Sequence, residues 1–267
     1  MKKDDAYYPS ATNMSKYWKY LGYLVEYLKY GDWKSVKSSL KFVFKGQPES
    51  ERRYANSRLG KFLIRKGTTD FQFINYAYER QIRNYILKHQ DEFDTYIDIG
   101  ACIGEYCVWI ASLGKEVFAF EPVPANYEGL MENVSLNKQE KSITAFNVGL
   151  GKHEGMVHFD ILSTVTGSSH ISKDQDQEGN VKIEVLDKVL DESIIKDESA
   201  VLMKLDVEGM EVDVLTGAKQ FLKRIPNLSI IFEHSFAGTE EIKSFLNTTG
   251  SYDYKYLDKY NIIAVKE

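Results

Sequence analysis

A strand-like run from Thr95 to Ile99 leads into Asp98-Ile99-Gly100-Ala101-Cys102-Ile103-Gly104, a helical pattern opens at Glu105, and Glu121 stands at the end of the next strand-like run, Glu116 to Phe120. Strand, glycine loop, helix and strand in that order make the two strands parallel neighbours with a helical crossover, and such sheets carry their ligands beyond the carboxyl ends of the strands. Gly100 and Gly104 suit a backbone that comes close to a ligand, and the helix start at Gly104 offers unpaired N–H groups. Glu121 is placed to take the two hydroxyls of a ribose.

The spacing narrows the choice of ligand. A dinucleotide loop needs glycine at its first, third and sixth places, the third so that the backbone can approach a pyrophosphate. Counting from Gly100, those later places hold Cys102 and Glu105, and Glu105 would set negative charge where the pyrophosphate belongs. Asp98, ahead of the first glycine, suits a cationic amino group. S-adenosylmethionine (SAM) joins such a group to a ribose and has no phosphate. The loop therefore reads as a SAM site, with Asp98, Gly100, Ala101 and Gly104 at the methionine end and Glu121 at the ribose. Topology puts the adenine beside Asn147, Val148 and Gly149, where the third strand ends.

Strands and helices continue to alternate to the end of the chain. Helical patterns run from Pro124 through Val134, from Glu211 to Lys223 and from Glu240 to Leu246, and strands from Ser142 to Val148, Val201 to Leu205, Leu228 to Phe232, Tyr252 to Leu257 and Asn261 to Val265. Between Gly149 and Ser199 the rhythm breaks: Met156 to Phe159 and Val181 to Val185 alternate around a polar loop, Ser168 to Asn180, as a hairpin inserted in the sheet order. Upstream, Met14 to Tyr30 predicts an amphipathic, tyrosine-rich helix with Tyr17, Leu21, Leu24, Val25 and Leu28 on its apolar face. Gly46 to Ser50 reads as a linker, and a further helical segment runs from about Phe71 to His89. The expected organisation is a helical extension over residues 1–60 and an α/β domain over 61–267, a mostly parallel Rossmann-like sheet with helices on both faces.

Residues 1–45 hold nine Lys against four acidic side chains, a net +5; with −5 for the whole chain, the remainder carries −10. An acidic body of this kind does not suit a nucleic acid backbone, so the partner is expected to be a small molecule or a glycan. The first helix is expected to pack on the main domain, with contact to a membrane surface or a protein as the alternative. No apolar run reaches the roughly 18 residues of a membrane span and the first residues carry no apolar leader, so a cytoplasmic protein is expected. The two cysteines, Cys102 and Cys107, match neither a disulfide framework nor a zinc pattern and read as buried packing residues. Oligomeric state is not legible.

Asp98-Ile99-Gly100-Ala101 with Gly104-Glu105-Tyr106, then Phe120-Glu121-Pro122, then Lys204-Leu205-Asp206-Val207-Glu208-Gly209 with Glu211, resemble the FkbM family of SAM-dependent methyltransferases in content, order and spacing, over about Gly67 to His234. The resemblance implies the class I methyltransferase sheet with a final antiparallel strand, and O-methylation of a hydroxyl on a sugar, lipid-linked sugar or other small molecule. Transfer to an alcohol releases a proton, so a carboxylate or His near the acceptor oxygen helps. Asp206, Glu208, Glu233 and His234 are the candidate catalytic residues, Asp206 counting also toward the cofactor, while Glu211 reads as a helix cap. Lys204 reads as a buried ion-pair partner of Asp206, and His170 as a solvated loop residue. No compact metal-ligand motif is present, and no metal is expected. The competing readings are an NAD-dependent oxidoreductase on a similar sheet, disfavoured by Cys102 and Glu105, and a non-catalytic scaffold that keeps the fold.

Overall fold

In the computed structural model, residues 14–160, 170–171, 178–207, 209–233 and 238–267 are described. The chain divides into two units, Met1–Arg80 with Ser163–Val165, and Gln81–Leu162 with Thr166–Glu267.

The first unit pairs two helices with a β-hairpin. Helix α1 spans Met14–Lys29 and α2 spans Trp33–Lys45, joined through Gly31. The Asp32 side chain caps α2 by accepting from Ser35 N–H, and Gly46, in the left-handed region, ends it by donating to Phe42 C=O. Strands β1 (Arg53–Ser57) and β2 (Gly60–Ile64) pair antiparallel, and a single turn, α3 (Asp70–Phe73), follows. The boundary expected at residue 60 thus falls inside a hairpin, and the unit is not purely helical. Its inward faces also differ from expectation. In α1, Tyr23 and Tyr27 are buried while Leu21, Val25 and Leu28 face solvent, because the tyrosine rings fill the interior and Tyr27 Oη donates to Phe71 C=O at 2.7 Å. In α2 the buried residues are Ser35, Ser38 and Ser39. They face a buried ionic knot in which Arg53 donates to Glu49 (3.0 Å), Asp32 (3.2 Å) and Ser35 Oγ (2.8 Å), and Ser38 Oγ donates to Glu49 at 2.9 Å.

The second unit opens with α4 (Arg80–Lys88), so the single helix expected from Phe71 to His89 is broken, with Glu79 in the left-handed region at the break. Then come β3 (Thr95–Ile99), α5 (Glu105–Ser112), β4 (Glu116–Phe120), α6 (Pro124–Leu136) and β5 (Ile143–Phe146). After the short strands β6 (Gly149–Leu150), β7 (Gly155–Val157), β8 (Phe159–Asp160), β9 (His170–Ile171) and β10 (Val181–Glu184) follow α7 (Leu186–Val189), β11 (Ala200–Leu205), α8 (Glu211–Gly217), α9 (Lys219–Arg224), β12 (Asn227–Glu233), α10 (Thr239–Leu246), β13 (Tyr252–Tyr256) and β14 (Asn261–Lys266). The central sheet has seven strands in the order β5-β4-β3-β11-β12-β14-β13, all parallel except β14, which is inserted antiparallel between β12 and β13.

Side chains of β3 alternate across this sheet. Ile97 and Ile99 enter a large apolar core with Met203, Leu205, Leu215, Phe221, Ile230 and Ile262, while Tyr96 and Asp98 point to the side of α5. The hairpin inserted after β5 is real, since Val181 pairs with Val157 and Ile183 with Gly155, but it does not enter the main sheet. It forms a separate three-stranded sheet, β6-β10-β7, with its own small core of Phe159, Val181 and Ile183.

Candidate active site

The loop after β3 is held by backbone on both sides. Gly100 N–H and Ala101 N–H donate to Phe120 C=O at 3.0 Å each, and Asp206 N–H donates to Ile99 C=O at 3.0 Å. Gly100 has φ +90°, and a Cβ there would lie 2.0 Å from the Asp206 carbonyl oxygen. Gly104, at φ +75°, would press a Cβ to 2.8 Å from Leu130 Cγ. Both glycines are therefore required by contacts within the protein, where the sequence suggested only room for a ligand.

Glu121 is buried and turned back onto the loop: Oε2 accepts from Cys102 N–H at 2.8 Å, and Oε1 accepts from Val123 N–H at 2.8 Å and from Asn126 Nδ2 at 3.4 Å. Cys102 carries a left-handed φ of 49°, the twist that aims its N–H at this carboxylate. The same Glu121 lines an open cleft whose other walls include Gly100, Val148, Leu150, Phe159, Asp206, Val207 and Met210. Phe120 comes from β4, Val148 from the link between β5 and β6, Phe159 from β8, which pairs with β9 apart from the three-stranded sheet, and Met210 from the turn before α8. The side walls are thus apolar, with one carboxylate from β4 and another from β11, and the described lining holds no Lys or Arg.

Beneath the loop, on the α5 side of the sheet, lies a buried ionic layer. Lys204 and Asp98 are register partners on neighbouring strands, and Lys204 Nζ reaches Asp206 Oδ2, two residues along the same face, at 2.7 Å. The Lys204 side chain is 7% exposed against 33% for Asp206, so the pair ties the cleft to the interior as the sequence suggested. Asp98 accepts from Cys107 Sγ at 3.2 Å. Burial pushes its carboxyl up to about 6, against the opposing pull of Lys204 and the Cys107 hydrogen bond, while Asp206 adds to the rise. Glu105 follows the same logic: burial pushes it up to about 8, with the Arg83 guanidinium opposing and Asp98 adding. Glu105 is therefore mainly protonated at neutral pH, so it does not bring the negative charge to the loop that its type suggested. Arg83 and Lys204 both lie over the Tyr106 ring, at 5.0 and 5.2 Å from its centroid. Cys107 is more than packing, since its thiol is a donor to Asp98.

Of the residues singled out from sequence, the fold brings Gly100, Glu121, Val148, Gly149 and Asp206 together along the cleft. Asp98, Ala101, Gly104 and Asn147 do not line it: Asp98 is turned to α5 by strand alternation, Ala101 and Gly104 shape the loop, and Asn147 Nδ2 donates to the carbonyls of Glu121 (2.9 Å) and Pro122 (3.2 Å). Glu233 ends β12 away from the lining, and Glu208 and His234 lie outside the described residues, as does most of the polar loop; of His170 only the backbone is described. Glu211 opens α8, accepts from Gly209 N–H at 3.2 Å and is fully buried, which raises its pKa through desolvation. Phe159, Val207 and Met210 were missed. Only the position of Val207 and Met210 beside Asp206-Val207-Glu208-Gly209 signalled them, and nothing local marks Phe159.

The cleft suits SAM. Two carboxylates without a lining cation match a ligand with a sulfonium and an ammonium, apolar walls match an adenine, and neither favours a pyrophosphate. Residues 98–256, more than half of the chain, match the Methyltransferase FkbM domain. Hexuronic acid methyltransferase AglP of Haloferax volcanii is 26% identical over 171 residues, covering 63% of this chain and 68% of that protein. Methyltransferase sdnD of Sordaria araneosa is 24% identical over 156 residues, 46% of this chain and 60% of that protein. Among solved structures, a SAM-dependent methyltransferase from Agrobacterium tumefaciens superposes with a TM-score of 0.51 at 13% identity, over 84% of this chain and 72% of that one, a likeness of fold. Glycine loop, strand-end acid, sheet order and family match agree: the chain belongs to the FkbM family of methyltransferases, with S-adenosylmethionine as cofactor.

Proposed function

We propose that the protein methylates a hydroxyl oxygen of a sugar or a related small molecule, and that Asp206 receives the proton this hydroxyl loses. The observation that carries the reading is the position of Asp206: at the carboxyl end of β11, one-third exposed in the cleft wall, and fixed from below by Lys204. The similarity to a methyltransferase acting on a hexuronic acid supports a sugar as the acceptor. Bound SAM supplies an electrophilic methyl. The chain's share of the work is then to align the acceptor oxygen, exclude water and take up a proton. Glu121 would accept from the ribose hydroxyls, the Gly100 backbone would meet the methionine end, and Val148, Phe159 and Met210 would enclose the adenine. Lys204 holds Asp206 Oδ2, which leaves Oδ1 for the acceptor hydroxyl. Glu208, Glu233 and His234 remain alternative bases on sequence grounds.

The test is to incubate the protein with SAM and a panel of uronic acid glycosides, neutral glycosides and phenols, and to follow the gain of one methyl by mass spectrometry. A product that survives mild alkali is an ether and supports hydroxyl transfer, whereas an alkali-labile ester would replace the hydroxyl by a carboxyl acceptor. On the accepted substrate, Asp206→Asn should lower kcat by about 100-fold to 10,000-fold, the range of general base catalysis. An unchanged kcat would remove Asp206 from the proton path.

A further inference from the structure

We propose that the outer faces of α1 and α2 dock this protein on an anionic lipid surface. The inference is independent of the acceptor and rests on the first unit alone.

In α1, Trp18, Leu21, Val25 and Leu28 recur at intervals of three and four residues and so form one stripe. All four are exposed, Trp18 at 73%, while the opposite face, with Tyr23 and Tyr27, is buried. Helix α2 is inverted outright: its serines face inward, and Trp33, Leu40 and Phe44 line the solvent side with exposures of 69%, 42% and 79%. Both inward faces converge on Phe71, which accepts from Tyr27 Oη and stacks edge-on with Phe42 at 6.4 Å, so both stripes look away from it.

Large apolar side chains left exposed along both helices invite a partner. The charges beside them say which one. Helix α2 carries Lys34, Lys37, Lys41 and Lys45 with no acid, and Lys37 sits within the apolar stripe. The one acid of α1, Glu26, is buried and pairs with Lys29 at 3.7 Å, and Lys34 pairs with the exposed Glu51 at 2.7 Å, which leaves Lys37, Lys41 and Lys45 of α2 as the cations beside the aromatic groups. Trp, Phe and Leu between lysines is the composition of helices that lie in a lipid headgroup layer, where rings enter the acyl boundary and ammonium groups meet lipid phosphates. The excess of +5 over residues 1–45, against −10 in the rest, points the same face toward negative charge.

The test is co-sedimentation of the full chain with phosphatidylcholine vesicles and with vesicles of equal parts phosphatidylcholine and phosphatidylglycerol, at low and high salt. The anionic vesicles should bind at least about tenfold more protein, with salt weakening the preference. Tryptophan emission should shift to the blue on binding, because Trp18 and Trp33 are exposed whereas Trp109 is already buried. Trp33→Ser with Phe44→Ser, both at solvent-facing positions, should reduce binding at least about tenfold with SAM affinity intact. Equal binding to both vesicles, or a double variant that binds as well as the parent, would overturn the proposal. So would light scattering that shows a dimer dissolved by the same substitutions in a protein that ignores vesicles, since a second copy would then be the occupant.

Discussion

Glu121 shows how one side chain carries two demands. Its carboxylate accepts from the N–H groups of Cys102 and Val123, which sets the glycine loop, and it also lines the cleft. Glu121→Ala would therefore leave buried donors without partners, at about 1 to 3 kcal/mol, besides losing the proposed ribose contact. Glu105 leads to a prediction in pH. Its folded pKa of about 8 lies above the ordinary 4.5, so the stabilisation from its neutral form is complete below about 4.5 and is lost as pH climbs through about 8. Asp98, raised from 3.8 to about 6, loses its share lower down. Arg83, Lys204 and Asp98 face Glu105, and Glu105→Gln keeps a neutral group of the same shape among them. Thermal midpoints measured from pH 6 to pH 8 should fall for the parent and stay flatter for Glu105→Gln; parallel curves would mean that Glu105 does not titrate in this range. Some of this was legible. Lys204 and Asp206 share a strand face by simple alternation, and their pairing could be read from two letters. The same alternation turns Asp98 away from the cleft, yet its distance from the loop in sequence gives no hint of that.

At the scale of elements, the middle of the sheet was legible because strands such as β3 and β11 are buried on both faces and read as apolar runs bounded by glycine or charge. Thr95–Ile99 and Glu116–Phe120 have the same limits in sequence and structure. Helix α2 was not legible as a packed helix, although Asp32 and Gly46 mark its ends. Its apolar stripe faces outward, and its inward contacts are made by Phe42 onto Phe71 and by serines onto an ionic knot formed with residues 49 and 53, a long-range arrangement that periodicity cannot encode. The inserted strands were legible as a hairpin but not in their placement, since nothing local says whether a hairpin joins a sheet or builds its own. The knot makes a firm prediction. Burial pushes the Glu49 carboxyl up, but the Ser38 hydroxyl, Ser50 N–H and Arg53 together hold it below the ordinary range. Arg53→Ala would strand Glu49 and Asp32 as buried, unpaired charges. Urea denaturation should show a loss of about 3 to 5 kcal/mol, the usual result of removing one partner from a buried ion pair. A loss under about 1 kcal/mol would mean that water reaches the knot.

The whole molecule combines an acidic α/β unit that carries the cleft proposed for methyl transfer with a basic, aromatic unit whose outer helices carry the proposed lipid-facing surface. Among the described residues no helix is long and apolar enough to cross a membrane. The family and its cofactor follow from motif, sheet order and relatives together. The central claim is that a cleft lined by Glu121 and Asp206, with no cation in its described wall, holds a cationic, phosphate-free nucleoside. Titration calorimetry of the full chain with SAM, and separately with NAD, tests it most directly: the account predicts saturable heat with SAM and none with NAD, and saturable heat with NAD but none with SAM would contradict it.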